Sequence, residues 1–401
     1  MQYRKLGRTG LNVSALGMGT MRLPQNDGGQ GYTGIPSGNT DTDASISMLR
    51  RAVDLGINYV DTAFNYLSGD SETITGLALK DGYRNKVILA TKAPTWMYKA
   101  PDDFDLYLNK QLERLQTDYI DVYLLHGMNK GSWPKTVLRY DILYKAEQAR
   151  AAGKIRFLGF SFHDDLDLFR TIINAHDRWD ICLIQLNYMD TQYQAGIKGL
   201  EYAAARGIGT AIMEPLRGGY LANRLPNDAR QIFTAAHPER SSAEWAFRYL
   251  WDLPDVGVVL SGMVSVGEVE ENVAYADSAF SNMLTEEDKE VYMAVLDKLA
   301  SYPVVPCTGC AYCMHCPKRI AIPHNFLAYN EYQTNGDLEK ARHYYGTTLL
   351  PFGTQAENCI TCRKCEEVCP QHIPISEWMP KIAELLGNGM KSQGRGNSTS
   401  K

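Results

Sequence analysis

The sequence predicts an α/β fold in which a (β/α)8 TIM barrel is followed by a small, mainly helical domain. Roughly the first 280 of its 401 residues alternate eight short apolar runs with longer amphipathic segments. Strands that are apolar along their whole length suit a parallel sheet buried between helices. No G-x-G-x-x-G follows any of these runs, which disfavours an open dinucleotide-binding sheet. Eight of the nine cysteines lie between Cys307 and Cys369, so the end of the chain has a different chemistry.

The elements of the barrel follow the apolar runs in order. The predicted strands are Ala15–Thr20, Tyr59–Ala63, Val87–Lys92, Ile120–His126, Ile155–Ser161, Cys182–Met189, Gly209–Pro215 and Val256–Gly262. The predicted helices include Asp43–Leu55, Phe104–Leu115, Leu138–Ala151 and Ala243–Trp251 in the barrel, then Asn325–Gln333, Asp337–Tyr345 and Ile375–Leu386. The barrel is predicted to end at residue 285 and the second domain to span 286–386. We expect a disordered Gly/Ser-rich tail at 387–401 and a lid-like loop over the barrel mouth at Asn26–Thr42.

Composition and charge exclude several classes of function. Hydrophobic residues make up 44% and charged residues 22% of the chain, as in an ordinary globular protein. The net charge of −5 argues against a nucleic-acid-binding protein. No run of 18 apolar residues predicts a membrane span, and MQYRKLGRTG lacks the apolar stretch of a secretory signal. We therefore expect a cytoplasmic protein.

Polar side chains lie at the carboxyl ends of most predicted strands. They are Asp61, Lys92, His126, Ser161, Gln185, Asn187, Glu214 and Ser261. In a (β/α)8 barrel these ends form the face on which active sites are built. A single polar residue at a strand end would carry little weight, but this repetition predicts an active-site mouth.

Three of these polar residues, together with a nearby tyrosine, suit proton transfer to an oxygen atom. Asp61, Lys92 and His126 end the second, third and fourth strands, and Tyr66 follows Asp61 by five residues. A lysine cation beside a tyrosine favours the ionised phenol, and an aspartate keeps the lysine charged. A nearby histidine can orient a carbonyl oxygen by a hydrogen bond. Asp61 alone would equally fit a structural salt bridge, whereas the four together indicate catalysis.

The same segments carry a family resemblance. VDTAFNY, ATK and LLH, preceded by RKLGRTGLNVSALGMGTMRL and followed by GFSFH, QLNY, EPLRGG and EEN, resemble the aldo-keto reductases over roughly residues 1–280. The resemblance implies that Tyr66 is the general acid, that Lys92 and Asp61 tune it, and that His126 orients the substrate carbonyl. It also implies that Ser161, Gln185 and Asn187 hold the nicotinamide amide and that Tyr188 stacks on the ring.

Two segments are predicted to bind the phosphates of the nicotinamide cofactor. Leu216, Gly218 and Gly219 follow the seventh strand, and Ser261 and Gly262 follow the eighth, where barrels commonly bind phosphate. Asn272 belongs to the same predicted cofactor site. Many family members carry a lysine and an arginine for the 2′-phosphate of NADP, and Gly262 and Glu268 match those positions here. We therefore expect NAD to compete at least equally with NADP.

The cysteines form two runs typical of iron–sulfur proteins. Cys307, Cys310, Cys313 and Cys316 are spaced by two residues and precede a proline, and Cys359, Cys362, Cys365 and Cys369 form a second run that also precedes a proline. Such runs ligate [4Fe–4S] clusters, whereas four-cysteine zinc sites usually draw on separate pairs. In two-cluster ferredoxins the fourth cysteine of each run ligates the other cluster. Cluster one would then use Cys307, Cys310, Cys313 and Cys369, and cluster two Cys359, Cys362, Cys365 and Cys316. The 42 intervening residues make the domain similar to the helical two-cluster ferredoxin domains of respiratory iron–sulfur subunits.

These features predict an NAD(P)-dependent oxidoreductase that interconverts a small carbonyl compound and an alcohol, accompanied by electron transfer through two [4Fe–4S] clusters. Two alternatives stay open. The barrel could be a binding scaffold in an electron-transfer or redox-sensing protein. The enzyme could instead bind a flavin and be fed by a ferredoxin, because nicotinamide transfers two electrons as hydride whereas a cluster transfers one. A redox partner protein is expected wherever the clusters carry electrons.

Overall fold

The computed structural model describes residues 1–26 and 39–387. Most of the predicted lid at Asn26–Thr42 and all but the first residue of the predicted tail at 387–401 lie outside these ranges. The chain divides into two compact units. The first comprises Met1–Leu216 and Ala243–Thr285, and the second comprises Arg217–Ser242 and the described residues from Glu286 onward. The predicted domain boundaries did not anticipate that Arg217–Ser242 would group with the C-terminal residues.

The first unit is a closed parallel barrel, which confirms the predicted fold class. Its strands are β3 (Leu16–Gly19), β4 (Tyr59–Asp61), β5 (Ile88–Ala93), β6 (Ile120–Met128), β7 (Ile155–Phe162), β8 (Ile181–Gln185), β9 (Gly209–Met213) and β10 (Val258–Ser261). Each strand pairs with its neighbours in sequence, and β10 closes the barrel onto β3. An antiparallel hairpin of β1 (Tyr3–Lys5) and β2 (Asn12–Ser14), which the periodicity did not predict, precedes them.

Helices surround the strands because each carries one apolar face. They are α1 (Thr42–Asp54), α2 (Asp70–Ala78), α3 (Asp103–Leu115), α4 (Ile142–Ala151), α5 (Leu166–Asn174), α6 (Gly196–Ala204), α9 (Ser242–Asp252) and α10 (Val266–Tyr275). Side-chain caps begin several of them: the Asp41 carboxylate accepts the Ala44 N–H at 3.0 Å, and that of Asp165 accepts the Leu168 N–H at 3.0 Å.

The interior of the barrel is filled by side chains rather than open. Tyr59, Val122, Leu124 and Leu183 are among the buried residues of this inner core. Leu6, between β1 and β2, belongs to the same cluster. It fits because Gly257 has no side chain: a Cβ there would lie 2.6 Å from Leu6 Cδ1. Because the interior is filled, an active site can form only at the ends of the strands.

The second unit is mainly helical. It contains α7 (Tyr220–Asn223), α8 (Asn227–Ala236), α11 (Glu286–Ala300), α12 (Ile322–Asn335), α13 (Leu338–Tyr344) and α14 (Ile375–Ile382). Its separate core includes Phe326, Tyr345, Leu349 and Met379. The segment 217–242 is joined to it by polar contacts: Tyr302 Oη lies 2.8 Å from the Asp228 carboxylate, and the Arg240 guanidinium lies 2.7 Å from Asp288. Within the described residues, no helix is long and apolar enough to cross a membrane.

Candidate active site and cysteine-lined cavity

The barrel brings the four predicted catalytic residues together. Asp61 ends β4, Lys92 lies on the adjacent β5, and His126 lies on β6, next to β5. Lys92 Nζ lies 2.5 Å from Asp61 Oδ1 and donates to the Thr62 carbonyl at 2.8 Å. The ammonium is 4.6 Å from the ring centroid of Tyr66, whose ring lies 6.0 Å from that of His126. The strand order thus brings side chains from three successive strands into one polar group, although Asp61 and Lys92 are 31 positions apart in sequence.

Burial governs the electrostatics of this group. Desolvation raises the pKa of Asp61 and lowers that of Lys92, and in each case the partner's opposite charge counteracts the shift. Desolvation, reinforced by Lys92 and His163, lowers the pKa of His126 well below the ordinary histidine value. His126 is therefore neutral at physiological pH and can hydrogen-bond a carbonyl oxygen without adding a charge.

Tyr66 lies at the start of a strained turn. Leu67 and Ser68 both adopt left-handed conformations, with φ of 51° and 58°. Non-glycine residues in this region are strained, and such strain persists only where surrounding contacts enforce it. Gly69, at φ 104°, then leads into α2. The phenol is held by a conformation that the local sequence alone disfavours.

The predicted nicotinamide residues are held by polar contacts of the barrel mouth. Ser161 Oγ accepts the Gly127 N–H at 2.7 Å. Gln185 and Asn187 each donate an amide N–H to Asp190 Oδ2, at 3.1 Å and 3.0 Å. Sequence reasoning missed Asp190, although Asn187 is a residue that favours local turns. Asn187 Oδ1 accepts the Met189 N–H at 3.0 Å, which is an Asx turn, and also the Asp190 N–H at 2.9 Å. Tyr188, the predicted stacking residue, is buried.

The predicted phosphate-binding residues fall into two groups. Ser261 Oγ lies 3.5 Å from Asn272 Nδ2, and Gly262 is exposed beside Arg22, whose Nη1 would be 4.0 Å from a Cβ on that glycine. Glu268 caps the start of α10: its carboxylate accepts the Val264 N–H at 2.9 Å, and its own N–H donates to Ser265 Oγ at 3.2 Å. The bond to Ser265 is one half of a capping box, which the S-x-x-E pattern could have revealed, whereas the carboxylate reaches one residue beyond the N-cap.

The second group follows β9. Leu216 ends the first segment of the barrel unit, whereas Gly218 and Gly219 belong to the second unit. Gly218 has φ 64°, and a Cβ there would lie 2.1 Å from the Thr308 carbonyl oxygen. This glycine therefore packs directly against the backbone of the first cysteine run, a contact that sequence reasoning did not foresee.

Four cysteines from both runs line one cavity. Cys307, Cys310, Cys313 and Cys369 all line one small pocket. Burial raises the pKa of the Cys313 thiol, and Cys310, Cys307 and Cys369 raise it further, so these sulfur atoms converge.

The remaining four cysteines are three members of the second run, Cys359, Cys362 and Cys365, and Cys316 of the first run. Burial raises the pKa of Cys365 to about 11, and the nearby Cys316 and Cys359 contribute to this shift. Cys362 is exposed. Cys316 of the first run thus lies near the second run, as the exchange of fourth cysteines in two-cluster ferredoxins requires.

The backbone of both runs is suited to sulfur ligands. The residues on either side of the second cysteine have positive φ in each run: Gly309 and Ala311 at 69° and 60°, and Thr361 and Arg363 at 53° and 61°. Alternating backbone of this kind turns N–H groups toward an anionic centre. The Thr361 N–H accordingly donates to Cys359 Sγ at 3.4 Å. Two matching thiol-lined loops fit [4Fe–4S] clusters.

A closed (β/α)8 barrel with a buried Asp–Lys pair, a tyrosine and a histidine at its mouth defines an oxidoreductase of the NAD(P)-dependent class. The chain belongs to the aldo/keto reductase family, whose family model matches residues 15–292. Residues 306–373 match the model of a 4Fe-4S dicluster domain. Both findings confirm the predicted fusion of a reductase barrel with an iron–sulfur domain.

Individual relatives cover most of the chain. The uncharacterized oxidoreductase YqkF of Bacillus subtilis is 29% identical over 318 residues, which is 72% of this chain and 94% of that protein. L-galactose dehydrogenase of Arabidopsis thaliana is 29% identical over 322 residues, 74% of this chain and 95% of that protein. Among solved structures, the holo form of aldo-keto reductase AKR11C1 from Bacillus halodurans is 25% identical, with a TM-score of 0.59 over 74% of this chain and 96% of that one.

Proposed function

We propose that the enzyme reduces a small carbonyl compound to an alcohol, and catalyses the reverse oxidation, with Tyr66 as the proton donor. The buried pair of Lys92 and Asp61 beside the Tyr66 ring carries this proposal. A bound nicotinamide cofactor supplies the hydride. The dehydrogenase among the relatives supports redox chemistry of this kind.

The roles of the side chains follow from their charges. The Lys92 cation stabilises the negative charge that develops on Tyr66 as its proton moves to the substrate oxygen. Asp61 keeps Lys92 protonated despite its burial. Neutral His126 donates a hydrogen bond that orients the carbonyl oxygen. Ser161, Gln185 and Asn187 would hold the nicotinamide amide, with Tyr188 beneath the ring.

The choice between NAD and NADP depends on two opposite charges near Gly262. Arg22 offers a cation to a 2′-phosphate, whereas the Glu268 carboxylate, held in its helix cap, repels one. We expect comparable affinities for the two cofactors. Titration by fluorescence should show that Arg22→Ala favours NAD and Glu268→Gln favours NADP. A strong NADP preference that Arg22→Ala leaves unchanged would contradict these roles.

The iron–sulfur domain is proposed to carry electrons rather than only to stabilise the fold. A [4Fe–4S] cluster exchanges one electron at a time. Cluster two would be held by Cys316, Cys359, Cys362 and Cys365 and cluster one by Cys307, Cys310, Cys313 and Cys369. Cys362 is exposed whereas Cys313 is buried, so the second site is better placed to receive electrons from a partner protein.

Two variants test the proposal. Tyr66→Phe should abolish NADH- and NADPH-driven reduction of 4-nitrobenzaldehyde or methylglyoxal without weakening cofactor binding, and undiminished activity would refute the role of Tyr66. Cys362→Ser should impair reduction driven by a low-potential one-electron donor more than reduction driven by NAD(P)H. If Cys362→Ser changes neither the donor-driven nor the NAD(P)H-driven activity while the fold stays intact, electron transfer through the clusters is not part of the function. The alternative of a non-catalytic barrel predicts no turnover in either assay.

A further inference from the structure

A buried carboxylate lies behind the catalytic group. Glu72, in the first turn of α2, is fully buried. Its Oε1 accepts hydrogen bonds from Thr91 Oγ1 at 2.7 Å and Gln111 Nε2 at 2.6 Å, and its Oε2 lies 3.2 Å from Arg114 Nη1. A buried charge is unfavourable unless it is paired and hydrogen-bonded, so this arrangement has a defined geometry.

The first branch of the network reaches Lys92. Gln111 Nε2 donates to the Lys92 carbonyl at 3.0 Å, and its Oε1 accepts the Tyr123 hydroxyl at 2.7 Å. Thr91, which donates to Glu72, directly precedes Lys92 on β5. The carboxylate therefore holds the strand segment from which the Lys92 side chain projects.

The second branch reaches the loop of Tyr66. Arg114 Nη1 donates to the Phe64 carbonyl at 3.0 Å, and the guanidinium lies 4.2 Å from the Phe64 ring centroid. On the other side of Tyr66, a Cβ on Gly69 would lie 3.4 Å from Arg114 Nη2. Arg114 thus hydrogen-bonds the chain before the strained turn that contains the phenol and lies close to the glycine that ends it.

We propose that Glu72, Arg114 and Gln111 form a positioning network that fixes Tyr66 relative to Lys92 and sets the charge balance of that pair. This inference rests on the proposed role of Tyr66 as proton donor. None of the three residues is placed to touch the substrate, so they act through Tyr66 and Lys92. A single carboxylate joins the two elements because one of its oxygens faces β5 and the other faces Arg114.

The charges around Lys92 make the network testable by pH. Asp61 faces Lys92 from β4, His126 from β6 and Tyr66 from the intervening loop, while Glu72 approaches from α2 and is itself paired with Arg114 from α3. Desolvation lowers the pKa of Lys92, and Asp61 and then Glu72 oppose that shift. Removing the negative charge of Glu72 should therefore make proton loss from the Lys92–Tyr66 pair easier, and removing the positive charge of Arg114 should make it harder.

The experiment compares Glu72→Gln, Arg114→Met, the double variant and the control Glu113→Gln. Glu113 is an exposed carboxylate on α3, the helix that carries Arg114 and Gln111. Its replacement should therefore leave kcat and KM unchanged. The reduction of 4-nitrobenzaldehyde by NADPH and by NADH is measured as kcat and KM from pH 6 to 10. We expect kcat to fall about ten- to a hundredfold in each network variant, since small displacements of reacting groups have effects of this size, with little change in cofactor affinity.

The pH profile separates positioning from general damage. The midpoint of the basic limb should move down by roughly half a unit in Glu72→Gln and up by a similar amount in Arg114→Met. The double variant should return the midpoint to the wild-type value while kcat stays low. Midpoints that stay unchanged, or that move in the same direction in both single variants, would overturn the proposal.

Two further measurements cover the remaining outcomes. If Glu72→Gln does not fold, Arg114→Lys replaces it. This variant keeps the positive charge but loses the planar guanidinium with its several hydrogen-bond donors, so it should lower kcat without moving the midpoint of the pH profile. If the wild-type protein reduces no aldehyde, the proposed function fails, and the network is judged by 13C NMR titration of Tyr66, assigned with Tyr66→Phe. The Tyr66 titration midpoint should still shift in opposite directions in Glu72→Gln and Arg114→Met, and identical midpoints would refute the inference.

Discussion

Replacing Asp61 by Asn should make the stability of the barrel depend on pH. Asp61 and Lys92 are almost completely buried and lie 2.5 Å apart. The substitution retains the shape of the side chain and removes its charge, which leaves the Lys92 ammonium without its nearest anion. Breaking one side of a buried pair in this way is strongly destabilising, by about 3–5 kcal/mol.

Lys92 can escape that penalty only by folding in the neutral form. Deprotonating a lysine with an ordinary pKa of about 10.4 costs about 4.6 kcal/mol at pH 7 and about 1.9 kcal/mol at pH 9. These values are upper limits on the part of the lost unfolding free energy that comes from the unpaired charge of Lys92. The unfolded state then binds more protons than the folded state, so the stability of the variant rises with pH over this range. The wild-type protein should show a flatter dependence because Asp61 favours the protonated lysine in the fold.

Urea unfolding under anaerobic conditions measures the effect. Trp179, Trp245 and Trp251 are buried in the barrel unit and report its transition by fluorescence. The difference between wild type and Asp61→Asn should shrink from pH 7 to pH 9. Adding Lys92→Met should recover stability at pH 7, because an apolar side chain removes the unpaired charge. A difference that is equal at both pH values, or a double variant no more stable than Asp61→Asn, would refute the reasoning.

Three other predictions concern single residues. Gly218→Ala should lower the iron content and melting temperature because its Cβ would collide with the Thr308 carbonyl; Gly219→Ala also has a positive φ but no atom closer than 3.7 Å, and it should be milder. Because burial lowers the pKa of His126, protonation of this histidine should not reduce the rate of carbonyl reduction between pH 7 and 5.5. A clear loss of rate with a midpoint near pH 6.5 would contradict this prediction. Cys369→Ser should reduce iron to about half of the eight atoms expected per chain, and unchanged iron by anaerobic analysis would exclude its ligand role.

Local features of the sequence were sufficient for the fold class and the principal residues. Each of the eight apolar runs contains or overlaps one barrel strand, because buried parallel strands need apolar residues on both faces. Tyr66 and Lys92 could be predicted since they lie within short motifs at strand ends. The cysteine runs likewise have a spacing that is visible without a structure.

Contacts between distant segments depended on closure of the barrel. Glu72 and Arg114 are 42 positions apart and lie on two different helices, and neither residue belongs to a motif that predicted the site. Asp190 was missed because its charge acts on Gln185 and Asn187 only once the turn after β8 brings the three side chains together. Hydrophobic periodicity reports which face of an element is buried, but not which polar groups meet behind that face. The partners of buried charges were therefore decided by tertiary structure, since every such group must find a hydrogen bond wherever the packing places it.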